Sequence, residues 1–161
     1  MRKLFFASLL ALSSLTSAVH ADFFTLVPFQ QYAESRSQVF AFFDQLKSYG
    51  AYVVGDDGQY LGEVSRSRFG TKSLNNDWTY GNTYKNDCIF NSSGLYGSCF
   101  SNFSAFNTYA VNPPTIRYKQ NGVEFVAAYL TMNSSFLGSY QVPNINPCCL
   151  CDWLKAMDCC H

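Results

Sequence analysis

The cysteines of this chain are its clearest candidates for chemistry. There are seven. Five crowd the end as Cys148, Cys149, Cys151, Cys159 and Cys160, followed by His161, while Cys88 and Cys99 lie well upstream. Cys148-Cys149-Leu150-Cys151 is a Cys-x-x-Cys run directly after Asn146-Pro147, which reads as a helix cap with a first-turn proline. A helix over 147–158 would carry Trp153, Leu154 and Met157 as its apolar stripe. Cys148, Cys151 and Asp152 would share one face, and Cys149, Trp153 and Cys160 another. A thiol at a helix N-terminus is biased toward the thiolate by the helix dipole. Three chemistries compete. The first is structural disulfides among Cys88, Cys99, Cys148, Cys149, Cys151, Cys159 and Cys160, including a clamp of the tail to the body. The second is a soft metal, Zn or Cu(I), held by Cys148, Cys151, Cys159, Cys160 and His161. The third is thiol redox chemistry, for which the thioredoxin-type βαβ setting is missing. On the first reading no cofactor is expected. The odd cysteine count leaves one thiol over, which could bridge to a second molecule as a disulfide-linked oligomer.

Little other catalytic equipment exists. The chain has two histidines, His20 and His161. A Ser-His-Asp triad or Cys-His pair would therefore rest on a chain end, and a two-histidine metalloprotease site is excluded once His20 is removed. Carboxylate chemistry needs only two acids, and Asp56, Asp57, Glu63 and Glu124 are the candidates, without a spacing that pairs them. Asp56-Asp57 lacks the alternating oxygen ligands of an EF-hand calcium loop and reads as a turn. No catalytic residue is assigned, and the chain leans toward a non-enzyme.

Compartment follows from the first 21 residues. Arg2 and Lys3 precede the apolar stretch Leu4–Leu12, a Ser-rich run and Val19-His20-Ala21. That is the pattern of a cleaved signal peptide, so the expected location is secreted or periplasmic. The apolar stretch is too short for a bilayer core of about 30 Å, and no later segment is expected to span one. An exported chain meets oxidising conditions, which favours disulfides. Lys plus Arg and Asp plus Glu are each 11, so no basic excess recruits nucleic acid. With 48% hydrophobic and 17% aromatic residues the chain is too apolar to be disordered.

The elements that must position these groups can be read along the chain. Val39, Phe42, Phe43, Leu46 and Tyr49 recur at helical spacing, predicting an amphipathic helix over 31–48 that stops at Gly50. Strands flanking Asp56-Asp57-Gly58 predict a hairpin over 51–64. Thr115–Lys119 and Val123–Thr131 flank Gln120-Asn121-Gly122 as a second hairpin. Between them Ser73-Leu74-Asn75-Asn76, Cys88-Ile89-Phe90-Asn91 and Ser104-Ala105-Phe106-Asn107 recur, with their last Asn residues fifteen and sixteen positions apart. Tyr80-Gly81, Tyr96-Gly97 and Tyr109-Ala110 follow them. Units this short cannot bury an aromatic face alone and must share a core. The repeated Asn is expected to bond nearby backbone rather than a ligand. Asn91, Asn102 and Asn133 head formal N-glycosylation acceptors.

The expected organisation is a signal peptide over 1–21, a helix plus β-repeat domain over 22–137, and a linker with the Cys-rich tail over 138–161. The fold class is α+β. It comprises a single β-rich domain of antiparallel hairpins and short repeats, an N-terminal amphipathic helix and a short Cys-rich C-terminal helix.

The stretch Asn91-Ser-Ser-Gly-Leu-Tyr-Gly-Ser-Cys-Phe-Ser-Asn-Phe-Ser-Ala-Phe-Asn107 resembles the Asn…Tyr-Gly-Ser…Ser…Asn repeats of an uncharacterised family of bacterial proteins, many with export signals. In that family the repeats follow an Asp-Gly-x-Tyr-Leu-Gly strand pair, here Asp57–Gly62. They end in Asn-Pro-Pro, here Asn112–Pro114, before another Gly-turn hairpin, here at Asn121-Gly122. The resemblance spans about residues 52–133 and implies no known activity. The expected function is an exported, non-catalytic binding or structural module whose partner is an envelope protein or a glycan. The alternative is a thiol-based metal-binding or redox-responsive protein using the tail.

Overall fold

The structure is a computed structural model and describes residues 36–139 and 141–154. The first helix, α1, runs Arg36–Ser48; the first five positions of the span expected for it lie outside the described residues, as does the signal segment. Its end is set locally. Gly50 takes φ 64°, the amide of Ala51 donates to Leu46 O at 3.0 Å, and that of Gly50 donates to Lys47 O at 3.0 Å. This pair of bonds is the Schellman arrangement, which a residue with a Cβ would strain. Phe43 and Leu46 are buried, while Tyr49 stays half-exposed and stacks on Tyr118 with ring centroids 5.4 Å apart.

Five strands follow among the described residues: β1 Tyr52–Val54, β2 Tyr60–Glu63, β3 Thr115–Gln120, β4 Val123–Leu130 and β5 Asn144–Ile145. Their order in the sheet is β2-β1-β3-β4-β5. Both hairpins form where their turn residues predict. Gly58 takes φ 85°, and the amide of Gln59 donates to Asp57 Oδ1 at 3.1 Å. Asn121 and Gly122 take φ 52° and 79°, the positive pair that a two-residue hairpin turn requires. The first strands of the two hairpins pair antiparallel, Val53 opposite Ile116, so a segment of some sixty residues is spanned by one sheet.

Two expectations need correction. The strands are not all antiparallel: β5 joins β4 in parallel, with Tyr129 donating to Pro143 O and Thr131 to Ile145 O, each at 2.9 Å. A hairpin cannot make that pairing, so 131–143 crosses over before returning. The middle section 65–114 also carries no strand of its own. It is a succession of turns with an isolated β-bridge to the sheet, Glu63 to Ser73, and a bond from Leu130 N in β4 to Pro114 O at 2.8 Å.

The second helix, α2, runs Pro147–Leu154. Asn146 caps it through Oδ1, which accepts from Cys148 N at 2.9 Å. Cys149, Leu150, Cys151, Trp153 and Leu154 are all buried and Asp152 is exposed. Cys148, Cys151 and Asp152 share one side of this helix by their spacing, and burial increases from Asp152 through Cys148 to Cys151. One hydrophobic core gathers Phe43 from α1, Val53, Leu61, Ile116, Ala128 and Leu130 from the sheet, Leu74, Ile89 and Ala105 from the turns, and Leu150 and Trp153 from α2.

Candidate binding surface

The turn section is organised by side-chain amides. Asn76, Asn91 and Asn107 each donate from Nδ2 to the carbonyl six residues earlier: Gly70 O at 3.0 Å, Lys85 O at 3.0 Å and Ser101 O at 2.9 Å. Each Oδ1 accepts from the amide two residues later: Trp78 N at 2.9 Å, Ser93 N at 3.0 Å and Tyr109 N at 2.9 Å. The residue three positions before each Asn also accepts from the amide two residues on. Ser73 Oγ takes Asn75 N at 3.1 Å, Cys88 Sγ takes Phe90 N at 3.4 Å, and Ser104 Oγ takes Phe106 N at 3.0 Å. These bonds supply what a strand ladder would otherwise provide to the backbone. They let Leu74, Ile89 and Ala105 turn fully inward.

A fourth residue does the same work. Asn133 donates from Nδ2 to Ala110 O at 2.9 Å and accepts from Ser135 N at 3.0 Å. Sequence spacing missed it because the β3–β4 hairpin intervenes between the two ends of the bond. The signal was present, since Asn133-Ser-Ser repeats Asn91-Ser-Ser. Both acceptor nitrogens are thus already committed within the fold, whereas Asn102 is exposed.

The same turns push large rings outward. Trp78 is 85% exposed, Tyr84 94%, Phe100 89% and Tyr109 82%. In all four the ring's own amide is pinned by a side-chain oxygen two residues earlier. Asn82 Oδ1 holds Tyr84 N at 3.0 Å and Ser98 Oγ holds Phe100 N at 3.2 Å, and Asn76 and Asn107 hold the other two. The rings therefore stand on backbone that is already ordered. Burying such a side chain is worth about 1.5–3 kcal/mol, and here that gain is left unrealised in the isolated chain. Gly81 and Gly97 make the arrangement possible. A Cβ at Gly81 would lie 2.8 Å from Leu74 O, and one at Gly97 would lie 2.4 Å from Asn91 O.

Two of the acids expected as catalytic candidates, Asp57 and Glu124, are engaged by different partners. Asp57 accepts from Gln59 N and, at 2.7 Å, from Tyr96 OH. Burial and this bond to Asp57 push the Tyr96 phenol up from its ordinary value. Glu124 accepts from Tyr52 OH and, at 3.1 Å, from Arg117 Nη1. Those two partners hold its carboxyl below the usual range, so it stays ionised and unsuited to act as an acid. Burial, then the bond to Glu124, pushes the Tyr52 phenol up to about 12. Asp56 is exposed and Glu63 lies in β2.

The described cysteines fall in two places, the turn section and α2. Cys88 is buried in the turn section and Cys99 is exposed. Cys149 and Cys151 are buried in α2 and Cys148 is half-buried at its start. Cys159, Cys160 and His161 lie outside the described residues. Among the described residues no group of three His, Cys, Asp or Glu is placed to hold a metal, and no helix is long and apolar enough to cross a membrane.

No family model matches the chain, and neither a curated protein nor a solved structure does.

Proposed function

We propose that this chain is an exported, secreted or periplasmic, non-catalytic module that binds a macromolecule of the cell envelope through the aromatic rings of its turn section. One observation carries the reading: Trp78, Tyr84, Phe100 and Tyr109 are exposed on backbone pinned by Asn and Ser side chains. Exposed aromatics on an ordered scaffold lose little entropy on binding and supply large contact area. The poverty of histidine and the separate commitments of Asp57 and Glu124 support a role without catalysis. The charged start, short apolar stretch and high cysteine content support export. On this reading the cysteines serve the architecture, and the family resemblance of residues 52–133 concerns that architecture alone.

The test is co-sedimentation of the secreted protein with envelope fragments of the producing cells. The intact protein is compared with a variant carrying Trp78→Ala, Tyr84→Ala, Phe100→Ala and Tyr109→Ala, whose fold is checked by circular dichroism. Binding by the parent and its loss in the folded variant support the module. Equal sedimentation of both proteins, or an intact leader on protein confined to the cell interior, would refute it.

A further inference from the structure

The turn between β3 and β4 is Asn121-Gly122, the one Asn-Gly pair in the chain. We infer that Asn121 is a site of self-modification, where attack by the Gly122 nitrogen converts the side-chain amide and the isoaspartate formed leaves the hairpin tip permanently open.

The reaction needs only water. The Gly122 amide nitrogen attacks Asn121 Cγ and gives up its proton. A new C–N bond closes a five-membered succinimide, the bond from Cγ to Nδ2 breaks, and ammonia leaves. One water then opens the ring. Opening at the side-chain carbonyl gives Asp. Opening at the main-chain carbonyl gives isoaspartate, whose backbone runs through Cβ and Cγ.

The fold singles out Asn121 among the asparagines. Asn76, Asn91, Asn107 and Asn133 spend both Nδ2 and Oδ1 on backbone groups. Asn121 is exposed, and among the described residues no hydrogen bond holds its side chain. The attacking nitrogen is equally open. Gly122 has no side chain, and a Cβ built there would meet nothing within 4 Å beyond its chain neighbours. Exposed Asn86 and Asn102 are instead followed by Asp87 and Phe103, whose side chains obstruct the same attack.

The folded turn sets the pace. Asn121 has φ 52°. In the left-handed region ψ is about +47°, which turns the following nitrogen away from Cβ. The ring therefore closes only when the turn opens. The sheet permits that opening. Among the described residues β1 pairs with β3 no further than Arg117, and β5 meets β4 only at Tyr129 and Leu130. Tyr118–Gln120 and Val123–Val126 thus overhang as a two-stranded ribbon, which is marginally stable alone. Its chief tie is the stack of Phe125 on Tyr118, with centroids 5.4 Å apart. Isoaspartate lengthens the backbone inside a turn that sets Gln120 opposite Val123 and Tyr118 opposite Phe125. That register cannot then be rebuilt.

The test is incubation of the native protein in neutral and mildly alkaline buffer. Peptide mapping locates each amide converted to acid, and an isoaspartyl carboxyl methyltransferase with a labelled methyl donor detects isoaspartate. Asn121 should convert before every other asparagine, faster in the more alkaline buffer, and faster again in urea. Phe125→Ala, with its fold checked by circular dichroism, should raise the native rate about fivefold by loosening the tip. Hydrogen exchange of the unmodified parent supplies a check without mutation: the Val123 and Phe125 amides should exchange sooner than that of Ala128. Asn121→Gln should form no isoaspartate at this position. Conversion of another asparagine first would overturn the site. Equal rates in native and urea-unfolded protein, an unchanged rate in folded Phe125→Ala, or equal protection of the three amides would overturn its gating by the tip.

Discussion

The indole of Trp153 donates a 3.0 Å hydrogen bond from Nε1 to Asp44 Oδ1, joining the last turn of α2 to the outer face of α1. Arg66 completes the clamp. Its Nε donates to Trp153 O at 2.7 Å, and its guanidinium lies 4.4 Å from the centroid of the indole ring. Phe43 meets the same ring at 5.6 Å. The C-terminal segment is thereby built into the core that the N-terminal helix covers. Trp153→Ala should lower unfolding free energy by about 3–5 kcal/mol, as for other buried aromatics. Asp44→Ala, which removes one hydrogen bond from a half-open carboxylate, should cost about 1 kcal/mol. Urea denaturation of the two variants checks the order; equal costs would mean that the ring is not packed as described.

The turn section should be sensitive at its asparagines. Asn91→Asp keeps the oxygen that accepts from Ser93 N but loses the donor to Lys85 O. It should destabilise by about 1–3 kcal/mol, the penalty for an unsatisfied buried group. Asn133→Asp should do likewise, through Ala110 O. Exposed Asn86→Asp is the control and should stay within about 0.5 kcal/mol of the parent. Gly97→Ala forces a Cβ against Asn91 O and Ile89 O, and should cost about 1–3 kcal/mol or more. Thermal midpoints of the four variants provide the comparison.

Stability should fall at both ends of the pH scale for identifiable reasons. Glu124 has a depressed pKa when folded, so its contribution is present above the ordinary carboxyl value of 4.5 and is lost as pH falls through the folded value. Tyr52 has a raised pKa, so its contribution is present below 10 and is lost as pH climbs from 10 to about 12. Tyr60 and Tyr96, both pushed upward first by burial, add to the alkaline loss. Glu124→Gln should flatten the acid limb, and Tyr52→Phe should reduce the alkaline one without abolishing it. Denaturant midpoints measured across pH decide this; an unchanged acid limb in Glu124→Gln would contradict the assignment.

Expression in a glycosylating eukaryotic host gives a sharper test of the turn geometry. Of the three acceptor sequences, Asn91 and Asn133 spend their Nδ2 on Lys85 O and Ala110 O, and Asn102 is exposed. Folded secreted material should carry a glycan on Asn102 alone, and Asn102→Gln should remove it. Intact-mass measurement reads the occupancy. A folded protein modified at Asn91 would be incompatible with the bonds described.

Local chemistry made several elements legible in advance. Asn121-Gly122 can take two positive φ values in succession, Gly50 can end α1 in the left-handed region, and Asn146-Pro147 can open α2. Each depends on residues within a few positions of one another, so a linear reading suffices. The three spaced asparagines were visible for the same reason, because their bonds reach six residues back and two forward. Asn133 escaped because its partner, Ala110, comes close only after β3 and β4 have folded back on themselves.

By itself, then, the sequence determined the turns, the caps and the periodic side chains, where the deciding forces act between near neighbours. Only the tertiary structure decided the parallel addition of β5, the burial of α2, and which rings face water. Trp78 and Trp153 are the same residue type, yet one is 85% exposed and the other fully buried. Nothing in a residue's own chemistry separates them: exposure depends on which distant segments arrive to cover a ring, and α1, Arg66 and the sheet converge on Trp153 alone.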